Sequence, residues 1–220
     1  MPGTLAFLHT SHVLIPRFAE LARKELPGVK VTHLVDESLI GNTIAAGHLT
    51  KAVTRRTVQL INCAHEGGAD AVMVTCSSIG PAVRIARSLY EFPILRIDEA
   101  MASVAIHTGR RIGVAATLKT TLDPTLELLR EKAAEVRQPI EVVECLCDGA
   151  FEKFLAGDVQ GHDQVILQAL AKFTDKIDVL VLAQASMARV VSKLPPETLR
   201  VPVLSSPELA IREARKVLFD

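Results

Sequence analysis

The chain contains itself twice. The run DAVMVTCSSIGPAV starting at Asp70 and the run DVLVLAQASMARVV starting at Asp178 share an order: an acidic turn residue, a continuous apolar stretch, a small polar cluster and a helix-like segment. FPILRIDEA from Phe92 parallels VPVLSSPELA from Val201, LAFLHT from Leu5 parallels IGVAAT from Ile112, and Thr10 therefore answers Thr117. The period is close to half the chain, far beyond the roughly 20 to 50 residues of a solenoid unit. Two successive copies of one α/β lobe satisfy it, and two such lobes facing each other make a cleft. The decisive position differs between the copies: Cys76 in the first aligns with Gln184 in the second.

Each copy alternates short apolar runs with segments of helical period, the pattern of a parallel sheet covered by helices on both faces. In the first, strands are expected at 5–9, 31–35, 71–75 and 94–97, with helices at 16–26 and 48–65 that stop at Pro27-Gly28 and Gly67-Gly68. In the second, strands are expected at 112–115, 140–144, 179–182 and 201–204, with helices at 125–136 and 163–173. The closing helix, 207–219, follows the second lobe in sequence but should pack on the first. The expected division is thus 1–97 plus 206–220 for one α/β lobe and 98–205 for the other. His107 and His162 fall at a helix end and in a loop on this reading and receive no role.

Composition excludes several partners. With 220 residues and 49% hydrophobic content, the chain can bury a core in each lobe. Lys plus Arg and Asp plus Glu both number 25 and aromatics make up 4%, which argues against nucleic acid and anionic membranes. No apolar run reaches the 18 or so residues of a spanning helix and the N-terminus lacks a signal-peptide pattern, so the expected location is cytoplasmic. The four cysteines are then expected as thiols. Cys145 and Cys147 share one face of a strand, but no further Cys or His pair at zinc spacing accompanies them, and no metal is expected. Neither a G-x-G-x-x-G fingerprint nor a P-loop occurs, so no nucleotide cofactor is expected.

Ligands of open parallel sheets bind beyond the carboxyl ends of the strands. Cys76 falls there, followed by Ser77, Ser78 and the helix-starting Pro81. Backbone N–H groups opening a helix favour a thiolate and accept a carboxylate. Thr10 and Ser11 occupy the corresponding turn after the first strand, flanked by His9 and His12, either of which has the titration range to act as an acid or base. Asp36, Glu37 and Ser38 follow the second strand, and Lys119 can neutralise a carboxylate. Glu99 and Glu208 recur at equivalent repeat positions, which suggests a structural hydrogen bond.

VTCSSIGP, RIGVAATLKTTLDPTLELL and the doubled lobes resemble the aspartate/glutamate racemase superfamily, hydantoin racemase in particular, over nearly the whole chain. The resemblance implies two pseudo-symmetric lobes, a ligand cleft, no cofactor, a small carboxylate or hydantoin-like substrate, homo-oligomers, and one cysteine per lobe flanking the substrate's α-carbon. It carries Cys76 over as an acid/base with Ser77 and Ser78 beside it, and Thr117 and Thr120 as substrate-holding hydroxyls. The second cysteine motif departs: Gln184, Ala185 and Ser186 stand where the family has Gly-Cys-Thr or Gly-Cys-Ala. An amide neither gives nor takes a proton near neutral pH, so Gln184 can bind substrate but cannot be the second base.

Three outcomes stay open. The first is a cofactor-independent isomerase of the racemase or epimerase type, with Cys76 as base and acid. The second is single-cysteine chemistry of the kinds that the resemblance implies, decarboxylation or cis-trans isomerisation. The third is a noncatalytic carboxylate-binding relative. A cysteine hydrolase needs an imidazole paired with Cys76, and none stands at a recognisable spacing. Few arginines fall in the candidate loops, which argues against a dicarboxylate substrate.

Overall fold

The computed structural model describes residues 3–171, 177–191 and 200–219. These form two compact units, residues 1–99 with 207–220 and residues 100–206.

The first unit holds a four-stranded parallel sheet in the order β2-β1-β3-β4, from β1 (Thr4–His9), β2 (Lys30–Val35), β3 (Ala71–Val74) and β4 (Ile94–Arg96). Residue alternation on β1 and β3 creates two cores. Ala6, Leu8, Val72 and Val74 pack with Leu39 of α2 (Glu37–Ala46), Val53 and Ile61 of α3 (Lys51–Glu66), and Val83 of α4 (Pro81–Arg87). Leu5, Phe7 and Met73 face the other way, onto Phe18 and Ala22 of α1 (Ile15–Glu25). Ala210, Ile211 and Ala214 of the closing helix (Ser206–Phe219) join this second core, so the last segment of the chain completes the first unit. β3 is buried at all four positions, as a central strand covered on both faces requires.

The second unit repeats the sheet in the order β6-β5-β7-β8, from β5 (Arg111–Ala116), β6 (Glu141–Leu146), β7 (Val179–Leu182) and β8 (Val203–Ser205). Its helices are α5 (Glu99–Thr108), which begins at the junction of the units, α6 (Lys119–Glu135), α7 (Ala150–Leu155), α8 (Val159–Ala171) and α9 (Ala185–Val191); the closing helix of the first unit is α10. The fold is thus α/β with two four-stranded parallel sheets.

The acidic residues that open the two repeats do the same work. Asp70 Oδ2 accepts the Thr4 N–H at 2.6 Å, and Asp178 Oδ2 accepts the N–H groups of Arg110 and Arg111 at 2.9 and 2.8 Å. Each carboxylate satisfies donors at the start of the neighbouring central strand. Hydrogen bonds from Arg111 and Arg110 hold the Asp178 carboxyl below the usual carboxylate range. Glycine leaves room beside each: a Cβ on Gly3 would lie 2.7 Å from Asp70 Oδ2, and one on Gly109 would run into Asp178 Cβ.

Several elements differ from the sequence expectation. α2 and α7 are helices that the sequence reading did not name. α6 starts at Lys119 rather than 125, because Pro124 lies inside the helix instead of opening it. α3 starts at Lys51, where the Thr50 hydroxyl caps the Val53 N–H, rather than at 48. β8 begins two residues late, after Pro202, which has no N–H to give a ladder. His162 lies within α8 and is buried, not in a loop. Residues 172–173 of the expected helix at 163–173 lie outside the described residues.

Candidate active site

Cys76 sits two residues past the end of β3, half-buried, with extended backbone at the entrance to a 3-10 turn formed by Ser77–Ile79. That turn runs directly into α4, whose first residue is Pro81. Ser77 and Ser78 are both buried against this turn. The Ile79 N–H returns to the Cys76 carbonyl at 3.3 Å and the Gly80 N–H to the Ser77 carbonyl at 3.0 Å, which closes the loop tightly under the thiol.

A buried ion pair lies behind that loop. Arg96, at the end of β4, donates from Nε and Nη2 to the two carboxylate oxygens of Asp98 at 2.8 and 2.9 Å; Arg96 is 8% exposed and Asp98 fully buried. A Cβ on Gly80 would fall 2.5 Å from Arg96 Nε, so only glycine lets the Cys76 loop close over the guanidinium.

His9 does not serve Cys76. Val72, Val74 and Cys76 belong to the core under α3 and α4, whereas His9 follows Phe7 on the opposite face and stacks with Phe7 and Phe18. Its Nδ1 hydrogen-bonds Thr75 Oγ1 at 2.8 Å and its Nε2 meets His33 Nδ1 at 2.9 Å. Burial, with His33 alongside, lowers the His9 pKa to about 4, and burial also lowers that of His33. Both shifts favour the neutral imidazole, and His9 shares its face with Phe7 whereas Cys76 packs with Val72 and Val74. His12 lies at the surface, where its Nδ1 meets Glu37 Oε1 at 2.7 Å.

The acids after β2 are structural too. Asp36 caps α2, accepting from the Ser38 N–H at 3.0 Å and the Ser38 hydroxyl at 2.6 Å, and pairs with Arg56. Burial pushes its carboxyl up, but the bonds from Ser38 and Arg56 outweigh this and hold it below its ordinary value. Bonds from the His12 ring and N–H hold Glu37 low. Lys119 is exposed and grips both oxygens of Asp123 one turn along α6, at 2.7 and 2.8 Å. Glu99 takes two nitrogens of Arg87 at 2.7 Å each, and Glu208 takes Arg17 at 2.6 Å.

In the first unit, Thr10 is buried just past the end of β1, and Ser11 precedes a short 3-10 turn without capping it through its side chain. In the second unit, Thr117 is buried just past the end of β5, and Gln184 stands after β7 before the first residue of α9, Ala185, with Ser186 following. The Thr117 N–H and hydroxyl both donate to Gln184 Oε1, at 2.6 and 2.9 Å. A backbone N–H can only donate, so the amide oxygen must face Thr117 and the remaining Nε2 group is a donor. Gln184 therefore presents hydrogen-bond donors and no base.

Thr120 lies in the first turn of α6. Its Oγ1 is buried and has no hydrogen-bond partner, and Pro124 has no N–H to return to the Thr120 carbonyl. Buried hydroxyls without partners are rare in native proteins and call for an explanation such as a bound ligand. Arg96, Asp98, Thr75 and Gly80 escaped the sequence reading. Gly80, directly after SSI, was the available signal of a close approach. A surface groove of about 390 Å³ between α2 and α3, lined by residues such as Leu39, Asn42, Arg55 and Arg56, contains none of the candidate residues.

Residues 8–214, nearly the full length, match the family described as Asp/Glu/Hydantoin racemase. The chain belongs to this family. Allantoin racemase from Klebsiella pneumoniae is similar in structure, with a TM-score of 0.70 at 19% identity over 98% of this chain and 87% of that one. Glutamate racemase from Francisella tularensis subsp. tularensis SCHU S4, solved in complex with D-glutamate, gives 0.77 at 19% identity over 99% and 81%. Aspartate racemase from Picrophilus torridus gives 0.73 at 15% over 97% and 93%. At these identities the likeness establishes the fold. No curated protein matches the chain in sequence. Among the described residues, no helix is long and apolar enough to cross a membrane, and no group of three or more His, Cys, Asp or Glu side chains is placed to hold a metal ion.

Proposed function

We propose that this racemase-family protein is a cofactor-independent isomerase acting at the carbon next to a carboxylate or carbonyl of a small substrate, with Cys76 as its single acid/base. The observation that carries this reading is a half-exposed thiol on a strand-to-helix turn of one repeat where the other repeat carries an amide. Thr10, Ser11, Ser77 and Ser78 are the proposed substrate-binding residues of the first unit, with Thr117, Thr120, Gln184, Ala185 and Ser186 those of the second. The unpartnered Thr120 hydroxyl and the Gln184 Nε2 donors suit an anionic group.

Cys76 takes the α-proton as thiolate, and the negative charge that develops on the carboxylate or carbonyl is met by donors rather than by a metal or cofactor. The thiol returns a proton to the face it left, and inversion follows when a proton from solvent reaches the opposite face instead. Gln184 favours a second reading from the same family, in which one sulfur carries an asymmetric step: decarboxylation followed by protonation, or addition to a double bond that permits cis-trans isomerisation.

Incubation of the protein with amino acids, hydantoins, malonates and maleate in deuterated water tests both. Deuterium entering the α-position, or loss of carbon dioxide or of cis geometry, is expected with at least one substrate, and Cys76→Ala should abolish it. Binding without turnover across the panel would leave a noncatalytic carboxylate-binding relative.

A further inference from the structure

The cysteines of the second unit form a pair that the proposed reaction does not use. Val143, Cys145 and Cys147 alternate along and just past edge strand β6, so both thiols point into one core with Ala115, Ile166 and Leu170. Cys145 is half-buried and Cys147 is 1% exposed. The two thiols are neighbours on that face of the edge strand.

The repeat does not require this pair. The Cys147 N–H donates to the Ala116 carbonyl at 2.7 Å just as the Asp36 N–H donates to the His9 carbonyl at 3.0 Å, so Cys147 stands where the first unit has the cap of α2. In the second unit Gly149 precedes α7 instead, and Cys147 has no capping duty.

We propose that Cys145 and Cys147 are a peroxide-oxidisable dithiol that closes to a disulfide within the second unit. The Cys145 sulfur attacks one oxygen of a hydroperoxide; the O–O bond breaks, water or an alcohol leaves, and Cys145 becomes a sulfenic acid. Cys147 then gives up its proton and its sulfur attacks that of Cys145, so the S–O bond breaks and water departs. Two thiols are oxidised by two electrons and one peroxide is reduced. Cys145 is the more exposed sulfur, which assigns attack to it and resolution to the buried Cys147; the neighbouring Cys147 thiol holds Cys145 below its ordinary pKa, and Cys145 and burial push Cys147 up.

Disulfide geometry needs the two Cα atoms closer than an extended strand places residues two apart, so Leu146 must leave the ladder. Leu146 is 41% exposed and pairs with Ala116, the residue before Thr117. Closure therefore loosens the end of β6.

Peroxide treatment of the full-length Cys63→Ser/Cys76→Ser protein, followed by alkylation and peptide mapping, tests the pair without competing thiols. The expected result is a peptide lacking both labels, lighter by two hydrogens and relabelled after reduction by dithiothreitol. With Cys147→Ser added, Cys145 should stop at a sulfenic acid that dimedone traps; with Cys145→Ser added, Cys147 should stay reduced. The parent map decides the matter even if the buried variant fails to fold. Retention of both labels after peroxide, or separate oxidation of each sulfur to sulfinic acid without a cross-link, overturns the proposal.

Discussion

The two units share a sheet order, a helix plan and an aspartate that opens the third strand, yet they differ in what lies around the equivalent loops. In the first unit the Cys76 loop rests on the buried Arg96–Asp98 pair, and the adjacent Thr75 anchors a buried histidine pair. The aligned positions in the second unit are Ser205, Pro207, Ala183 and Ala116, and the loop residue itself is the amide of Gln184, tied back to Thr117. The two units share one scaffold, and among the described residues the buried ion pair lies against the loop that carries Cys76. A buried charge pair is not a cheap way to stabilise a fold, since hydrophobic residues of the same volume often do as well. Its presence against the Cys76 loop therefore marks the side where loop position matters.

The largest effect that would break this contrast comes from Asp98→Ala, which removes the carboxylate that accepts two bonds from the buried Arg96 guanidinium. A loss of about 3–5 kcal/mol in urea unfolding is expected. Next, the His9–His33 pair makes the first unit acid-sensitive. His9 is neutral when folded and its pKa falls from 6.5 to about 4, so its contribution is complete above pH 6.5 and is lost as pH drops toward 4, on the order of 3 kcal/mol in all. His9→Leu should flatten that acid limb, and an unchanged slope in pH-dependent denaturation would remove the histidine pair from the account.

Gly80→Ala sharpens the comparison directly, because the second unit already carries Ala188 at the aligned position. A methyl group pressed on Arg96 should cost about 1–3 kcal/mol and shift the Cys76 loop, read by thermal unfolding and by the rate of Cys76 alkylation. The smallest effect belongs to Thr117→Val, which removes the hydroxyl donor but keeps the backbone N–H to Gln184 Oε1; about 1 kcal/mol is expected in the same unfolding assay.

The strands that carry the candidate residues were legible because their residues are apolar on both faces, as VMV and VLVL show. The closing helix was legible as a helix from its apolar spacing. α2 was not legible: ESLIGNTIAA has few strong amphipathic contrasts, and its start depends on the Asp36 side chain capping Ser38, a local bond that pattern does not reveal. Pro124 misled the start of α6 because proline usually opens a helix. At the site, the sequence marked Cys76 and Gln184 through the repeat, but which face of the sheet His9 occupies follows only from strand register. The Arg96–Asp98 pair was hidden because RID reads as the end of a strand until Gly80 is seen packed on it.

A protein with one acid/base sulfur should deliver the proton it removes back to the same face, after exchange with solvent. The direct measurement is the ratio of α-deuterium incorporation to stereochemical inversion, for a substrate enantiomer that the protein turns over in deuterated water. The account predicts exchange with retention that outpaces inversion and disappears in Cys76→Ala. Inversion as fast as exchange, or either process surviving in Cys76→Ala, would contradict it.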